Sequence, residues 1–228
     1  MTFSLVVTDP TTGHVGVAAM TAMPGVGKLV AHARARSGAA ASQAMMNPYL
    51  AFDGLALVGQ GIPADQALDY LVAQDPGREG RQFGLVDFQG RSASHTGSLP
   101  EDFKGHRTGP HYACQGNRLA GPEVLDAAVE AYSAHDGEEL IDRLLAALAA
   151  GEEQGGDTKG HRSATVVIMG TELYPLWDLR IDDTDDPLTL LRQQKETFAE
   201  ELIPEVEMLP TRIDPLGGFD YQGSAGAV

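Results

Sequence analysis

Short apolar runs alternate with turn-forming clusters through the first half of the chain, and longer stretches of helical periodicity follow. Residues 3 to 7 read as a buried strand, Asp9-Pro10-Thr11-Thr12-Gly13 as a turn, and residues 15 to 21 as a return strand, which predicts an opening β-hairpin. Past Pro24-Gly25-Val26-Gly27, the loose alternation of LVAHARARSGAAASQAM breaks at Ser37-Gly38 and predicts two more strand segments. The small residues there imply close packing.

Apolar positions at helical spacing over residues 50 to 60 and 63 to 73, with Leu68, Leu71 and Val72 on one stripe and Pro63 at the start, predict two helices crossing a sheet. RQFGLVDFQGRSASHTG reads as strand, turn at Gln89-Gly90, strand. HYACQGN reads as a further strand closing on a Gly-Asn pair, so a second sheet is expected to gather here. Residues 121 to 150 predict two helices, with Pro122 at the start, Leu140, Leu144, Leu145 and Leu148 on one face, and an end at Ala149-Ala150-Gly151. ATVVIMG and LYPLWDLRID predict partner strands, and residues 187 to 203 a last amphipathic helix. Strands arrive in hairpins and helices in pairs, which favours two antiparallel sheets covered by helices over a doubly wound parallel sheet. One domain over residues 1–209 and a loose tail over 210–228 are expected.

Composition narrows the partners. The 228 residues are 43% hydrophobic and 21% charged, an ordinary globular balance, and 16 Lys+Arg against 32 Asp+Glu leave a net charge of −16. Phosphate backbones and anionic membrane surfaces are bound by clustered Lys and Arg, so neither nucleic acid nor membrane is an expected partner. MTFSLVVTDPTTG carries no basic leader, and no apolar run approaches a bilayer span. The single cysteine, Cys114, cannot form an internal disulfide, which suits a reducing cytoplasm. Apolar faces on the last helix and nearby strands suggest a homodimer.

Familiar motifs fail at identifiable positions. AMPGVGKL would need glycine at Ala22 and a hydroxyl at Leu29 to be a phosphate loop. IDDTDDP, counted from Asp182, has Pro187 and Gln193 where a calcium loop needs Gly and Glu. A metal-assisted hydrolase would draw on His95, His106, His111 and His161, which show no ligand spacing, so no metal or other cofactor is expected. His111 and Cys114, three apart on a strand, fall on opposite faces and make no thiol–imidazole pair, and no nucleophile elbow occurs.

What remains is Thr2, directly after Met1 at the start of an apolar strand. Removal of Met1 would set a free α-amine beside the Thr2 hydroxyl. A threonine hydroxyl is a weak nucleophile, but an α-amine titrating near ~8 accepts its proton, directly or through one water.

TFSLVVTDPTTGHVGVAAMT resembles the opening strand–turn–strand of the N-terminal nucleophile (Ntn) hydrolases, and RSGAAASQAM resembles a segment of proteasome β subunits. Over residues 2 to about 193 the chain is similar to an uncharacterised Ntn-hydrolase-like family, domain of unknown function ten-twenty-eight. The matching pieces, in order, are TFSLVVTDPTTG, SQAMMNP, RQFGLVD, SHTG, QGNRLAGPEV, GGDTKGHRSA and DLRIDDTDDP. The resemblance implies an α+β, four-layer αββα sandwich of two antiparallel sheets. It also implies hydrolysis of a C–N amide-type bond of a small-molecule substrate, through an acyl-enzyme on Thr2.

Roles offered by these motifs are Thr2 as nucleophile and base, the Gly116-Asn117 turn as oxyanion donor, and Asp157 as orienter of the α-amine or substrate. Fixed donors are what a tetrahedral intermediate needs, yet Gly-Asn also makes a plain tight turn and Asp157 a plain turn aspartate. Gln43, His95, Thr96 and Ser163 are further pocket candidates. The alternative is a catalytically inactive ligand-binding or scaffold protein on the same fold.

Overall fold

The computed structural model describes residues 2–219. Strands β1 (Thr2–Thr8) and β2 (Val15–Thr21) form the opening hairpin, in register from Thr2 opposite Thr21 to Thr8 opposite Val15. Asp9 builds the turn: its carboxylate accepts from the Thr11 N–H at 2.9 Å and the Thr12 hydroxyl at 2.8 Å.

A one-turn helix, α1 (Val26–Leu29), leads into the hairpin β3 (Ala31–Arg34) and β4 (Gly38–Ala44). Helices α2 (Pro48–Gly59) and α3 (Ala64–Gln74) and the hairpin β5 (Arg81–Asp87) and β6 (Ser92–Thr96) follow. Asn47 starts α2 by accepting from the Tyr49 N–H at 3.2 Å, with Pro48 in the first turn where a missing N–H removes no helical bond. Next come β7 (Gly105–Gly109), β8 (Tyr112–Asn117), α4 (Glu123–Ala134) and α5 (Leu140–Glu153). The remaining elements are β9 (Ser163–Met169), β10 (Pro175–Ile181), α6 (Pro187–Glu201) and α7 (Ile203–Glu207).

The strands form a six-stranded antiparallel sheet in the order β10-β9-β2-β1-β8-β7 and a four-stranded one in the order β3-β4-β5-β6. Alternation of side chains sorts each strand between two faces. Phe3, Leu5 and Val7 pack on Leu125, Leu144 and Leu148 of α4 and α5, whereas Phe83 and Leu85 pack on Leu55 and Leu68 of α2 and α3. Val6, Val17, Ala39, Ala41, Val86 and Ala113 meet between the sheets, where the alanines allow close approach. The result is the helix–sheet–sheet–helix sandwich that the resemblance implies, each buried Val, Leu or Phe adding about 1.5–3 kcal/mol.

Several details differ from the sequence reading. β8 does not gather a second sheet with β5 and β6; it pairs with β1, Thr2 opposite Asn117, inside the six-stranded sheet. Its hairpin partner β7 escapes a hydrophobicity reading because GHRTG is polar and only half-buried. Helix α5 does not stop at Gly151 but runs to Glu153, and the glycine admits the Phe3 ring, whose Cε2 lies 2.9 Å from where a Cβ would stand. The last helix breaks at Leu202, and Pro204 opens the separate α7. The acidic IDDTDDP segment is a cap, with Asp186 accepting from the Thr189 N–H at 3.1 Å. Residues 210–219 hold no helix or strand but are tied by turns such as Gly218 N–H to the Met208 carbonyl at 2.9 Å. The rest of the expected tail, 220–228, and Met1 lie outside the described residues.

Candidate active site

Antiparallel register lines up four polar residues across one end of the six-stranded sheet: Asn117 of β8 beside Thr2 of β1, Thr2 beside Thr21 of β2, and Thr21 beside Ser163 of β9. Counting by twos from Val6, Val17 and Ala113, which face the second sheet, puts Thr2, Thr21 and Asn117 on that same inner face. Thr2 is 6% exposed, and its hydroxyl donates to the Thr21 hydroxyl at 3.2 Å.

Beneath this row the space between the sheets turns from apolar to amide-rich. Ser4 Oγ donates to Gln43 Oε1 at 2.7 Å, and Gln43 Nε2 donates to Gln82 Oε1 at 2.8 Å and to the Thr2 carbonyl at 3.1 Å. Gln82 Nε2 donates to the Gly116 carbonyl at 2.7 Å and to Thr96 Oγ1 at 3.1 Å, while Gln82 Oε1 accepts from Asn117 Nδ2 at 2.9 Å. Gln115 Nε2 donates to Ser4 Oγ at 2.7 Å. Gly84 makes room opposite, because a Cβ there would stand 2.0 Å from Gln115 Oε1. Gln43, Gln82 and Gln115 are fully buried, so their hydrogen bonds are what make burial of three carboxamides tolerable.

Gly116 and Asn117 are strand residues, not the turn expected. Gly116 lies between Phe3 and Gly105 in the ladder, and its missing Cβ makes room for Leu119 Cδ1, 2.5 Å from that position. Asn117 Nδ2 is the better donor, with one hydrogen directed at Gln82 and a second left by carboxamide chemistry. The turn begins at Arg118, in the left-handed region at φ 53°.

Asp157 sits beside the row, bridged to Leu119, with its carboxylate accepting from the Ala22 N–H at 3.1 Å and the Lys159 N–H at 2.7 Å. It therefore anchors the residue that follows Thr21. His161 Nε2 accepts from the Asp157 N–H at 3.2 Å, which leaves Nδ1 as the hydrogen-bearing nitrogen facing Glu152 at 3.0 Å. Ser163 is similarly occupied: its hydroxyl donates to the Met23 carbonyl at 2.6 Å and accepts from the Val26 N–H at 3.1 Å.

His95 and Thr96 lie farther out on β6. His95 Nε2 meets the Arg78 carbonyl at 2.9 Å, and Thr96 Oγ1, having accepted from Gln82, is left to donate to His106 Nδ1 at 3.0 Å. Burial, reinforced by His95 and Arg107, holds His106 below the usual histidine range. His111 precedes β8 in a left-handed turn at φ 70°, with its Nδ1 3.2 Å from the Thr8 hydroxyl, while Cys114 faces the helix side. Among the described residues no group of three or more His, Cys, Asp or Glu is placed to hold a metal ion.

A cavity of about 190 Å³ opens next to Asn117, lined by Ala44, Met45, Gly80, Leu99, Glu101 and Arg118 among others. The residues that sequence reasoning missed are Ser4, Thr21, Gln82, Gln115 and Arg118. For the first four the only signal is polarity within otherwise apolar strands, and Arg118, in the turn after β8, carries no such signal.

Fold and site together define a layered α+β sandwich with a hydrogen-bonded polar row at the head of its first strand. The chain belongs to the family of unknown function DUF1028, whose model matches residues 2–191. It is similar to the solved structure of protein SPO2555 from Silicibacter pomeroyi, of the same family, with 32% identity, a TM-score of 0.87, and 96% of this chain and 99% of that one covered. No curated protein matches it. Among the described residues no helix is long and apolar enough to cross a membrane.

Proposed function

We propose that the protein is an N-terminal-nucleophile amidohydrolase that cleaves the C–N bond of a small amide through an acyl-enzyme on Thr2. The observation that carries this reading is the position of the Thr2 hydroxyl, buried at the head of β1 and hydrogen-bonded to Thr21, with Asn117 directly across the strand pair.

Loss of Met1 gives Thr2 a free α-amine, which takes the hydroxyl proton as Oγ1 attacks the substrate carbonyl carbon. The oxyanion accepts a hydrogen bond from Asn117 Nδ2. Collapse breaks the C–N bond, the leaving amine takes the proton back from the α-amine, and water then cleaves the Thr2 ester. Thr21 orients the nucleophile, and Asp157 acts as a positioning residue by holding the segment after Thr21. The 190 Å³ cavity supports a substrate fragment below drug size. A cytoplasmic homodimer belongs to the same proposal, and sedimentation of the purified protein tests the dimer.

The test combines intact mass with turnover of an amide panel. Protein lacking Met1 and active, with Thr2→Ala inactive, is the expected result. Turnover by Thr2→Ala, or full retention of Met1 in active protein, excludes the mechanism. A non-catalytic binding protein is the second reading, favoured by Asp157, whose carboxylate is engaged by backbone N–H groups. Ligand binding without turnover by protein lacking Met1 would select it.

A further inference from the structure

The cavity beside Asn117 holds a cation poorly matched by its neighbours. The Arg118 side chain is 16% exposed, its buried Nε has no hydrogen-bond partner among the described residues, and its Nη1 lies 3.6 Å from Glu101 Oε1, beyond hydrogen-bond reach. Glu101 itself is 71% exposed, so the guanidinium sits inside while its partner stands on the rim. A half-buried guanidinium whose Nε is sealed off without a partner is poorly compensated, and an anion reaching its remaining N–H groups would offset that.

The backbone is set to keep the guanidinium there. The Arg118 N–H donates to the Glu101 carbonyl at 2.8 Å, the next residue, Leu119, exchanges hydrogen bonds with Phe103, and the Arg118 carbonyl accepts from the Thr158 N–H at 3.4 Å. Ala44, which also lines the cavity, is like Arg118 a non-glycine residue in the left-handed region, at φ 65°. Two such residues on one small cavity is the pattern expected where surrounding structure enforces a binding shape.

The rest of the lining mixes the apolar side chains of Ala44, Met45, Leu99 and Pro100 with Gly80, Glu101 and the Asn117 carboxamide. A planar guanidinium beside a few small apolar side chains and one carboxamide matches a single carboxylate on a short chain, two N–H groups to two oxygens. A phosphate dianion would want more donors, and the chain's net charge of −16 gives no wider field to draw one in.

We infer that Arg118 binds a carboxylate carried by the substrate, so that the substrate is a small amide bearing a carboxylate on a short aliphatic chain. This rests on the amidohydrolase reading for the amide half alone. Glu101 competes with the ligand for the same guanidinium and so weakens binding.

The test is calorimetric titration of Thr2→Ala protein, which binds without cleaving, with the monoamides of succinate, glutarate and adipate, the matching neutral diamides, and inorganic phosphate. At least one monoamide is expected to bind, with affinity lowered tenfold or more by adding Arg118→Gln and comparably weak for its diamide. Glu101→Gln should tighten it several-fold. Where Arg118→Gln fails to fold, Arg118→Lys, which keeps the charge and loses the fork, serves in its place with the same direction. No binding by any monoamide, binding indifferent to Arg118, or phosphate bound in preference overturns the inference. Because the measurement uses protein without the Thr2 hydroxyl, its failure is separate from that of the nucleophile, which is judged by turnover.

Discussion

The Thr2 hydroxyl donates to the Thr21 hydroxyl at 3.2 Å across the first strand pair, and Thr21 Oγ1 also receives the Met23 N–H at 3.3 Å. One side chain thus holds both the candidate nucleophile and the chain as it leaves β2. Thr21→Val preserves shape while removing the acceptor. Removal of a buried hydrogen-bond partner is expected to cost about 1–3 kcal/mol of stability, read from denaturant unfolding. Under the amidohydrolase reading, turnover falls at least tenfold while substrate affinity changes little. An unchanged turnover number would remove Thr21 from the site.

Gln82 is the node of the amide layer. Its carboxamide serves Gln43, Asn117, Thr96 and the carbonyls of Gly105 and Gly116. Gln82→Leu keeps roughly the volume and strands several of these groups away from water, so a loss of about 3–5 kcal/mol is expected, more than for a single deleted bond. Gln82→Glu is the informative companion, because a carboxylate still accepts from Gln43 and Asn117 but cannot donate to Gly116. Equal stability of Gln82→Leu and the parent protein would show that the network contributes nothing.

How much of this could be read from the chain depends on which physics leaves a mark on it. The β1–β2 hairpin was legible because apolar strands flank an Asp-Pro-Thr-Thr-Gly turn, and α2 to α5 because their core positions repeat at helical spacing. β7 was not, since GHRTG buries too little to show a pattern. The pairing of β8 with β1 is a tertiary choice that no local signal encodes. In the site, Thr2, Asn117 and Gln43 are legible as candidates from the sequence, but the surrounding roles differ from those expected. Ser163 and Asp157 are engaged with backbone groups, and Gly116 makes room for Leu119. A buried glutamine such as Gln82 or Gln115 looks like a solvent-facing position until a second sheet is laid over it.

Cys114 offers a contrast with Thr2. It is fully buried on the helix side of β8, and burial pushes its thiol up to about 12. A thiolate is the reactive form, so the folded protein should resist a disulfide exchange reagent near neutral pH and react at one equivalent per chain once denatured. Under the amidohydrolase reading, Cys114→Ala should turn substrate over as the parent protein does. Rapid labelling of the folded protein would contradict the packing described here.

Acidification should weaken the fold through its histidines before its carboxylates. His14, His32 and His106 are all held below the usual histidine range, in each case chiefly by burial, with Asp9 partly offsetting the effect at His14 and the Leu29 carbonyl at His32. A lowered folded-state value means that the native protein favours the neutral ring while the unfolded chain protonates first. Their contribution is therefore fully present above the unfolded value near ~6.5 and is lost as pH falls through it toward the lower folded values. Asp75 and Asp126, held down by Arg81 and Arg107, extend the loss in the same direction below the ordinary carboxylate range. Melting temperature should thus decline as pH falls from about 7.5 to 5.5. Replacing His14, His32 or His106 by Gln should flatten part of that decline. For His106 the effect should be smaller, because its ring stands at the exposed edge where Thr96 meets it. A melting temperature that holds or rises across the window would show that the rings are not held neutral by the fold.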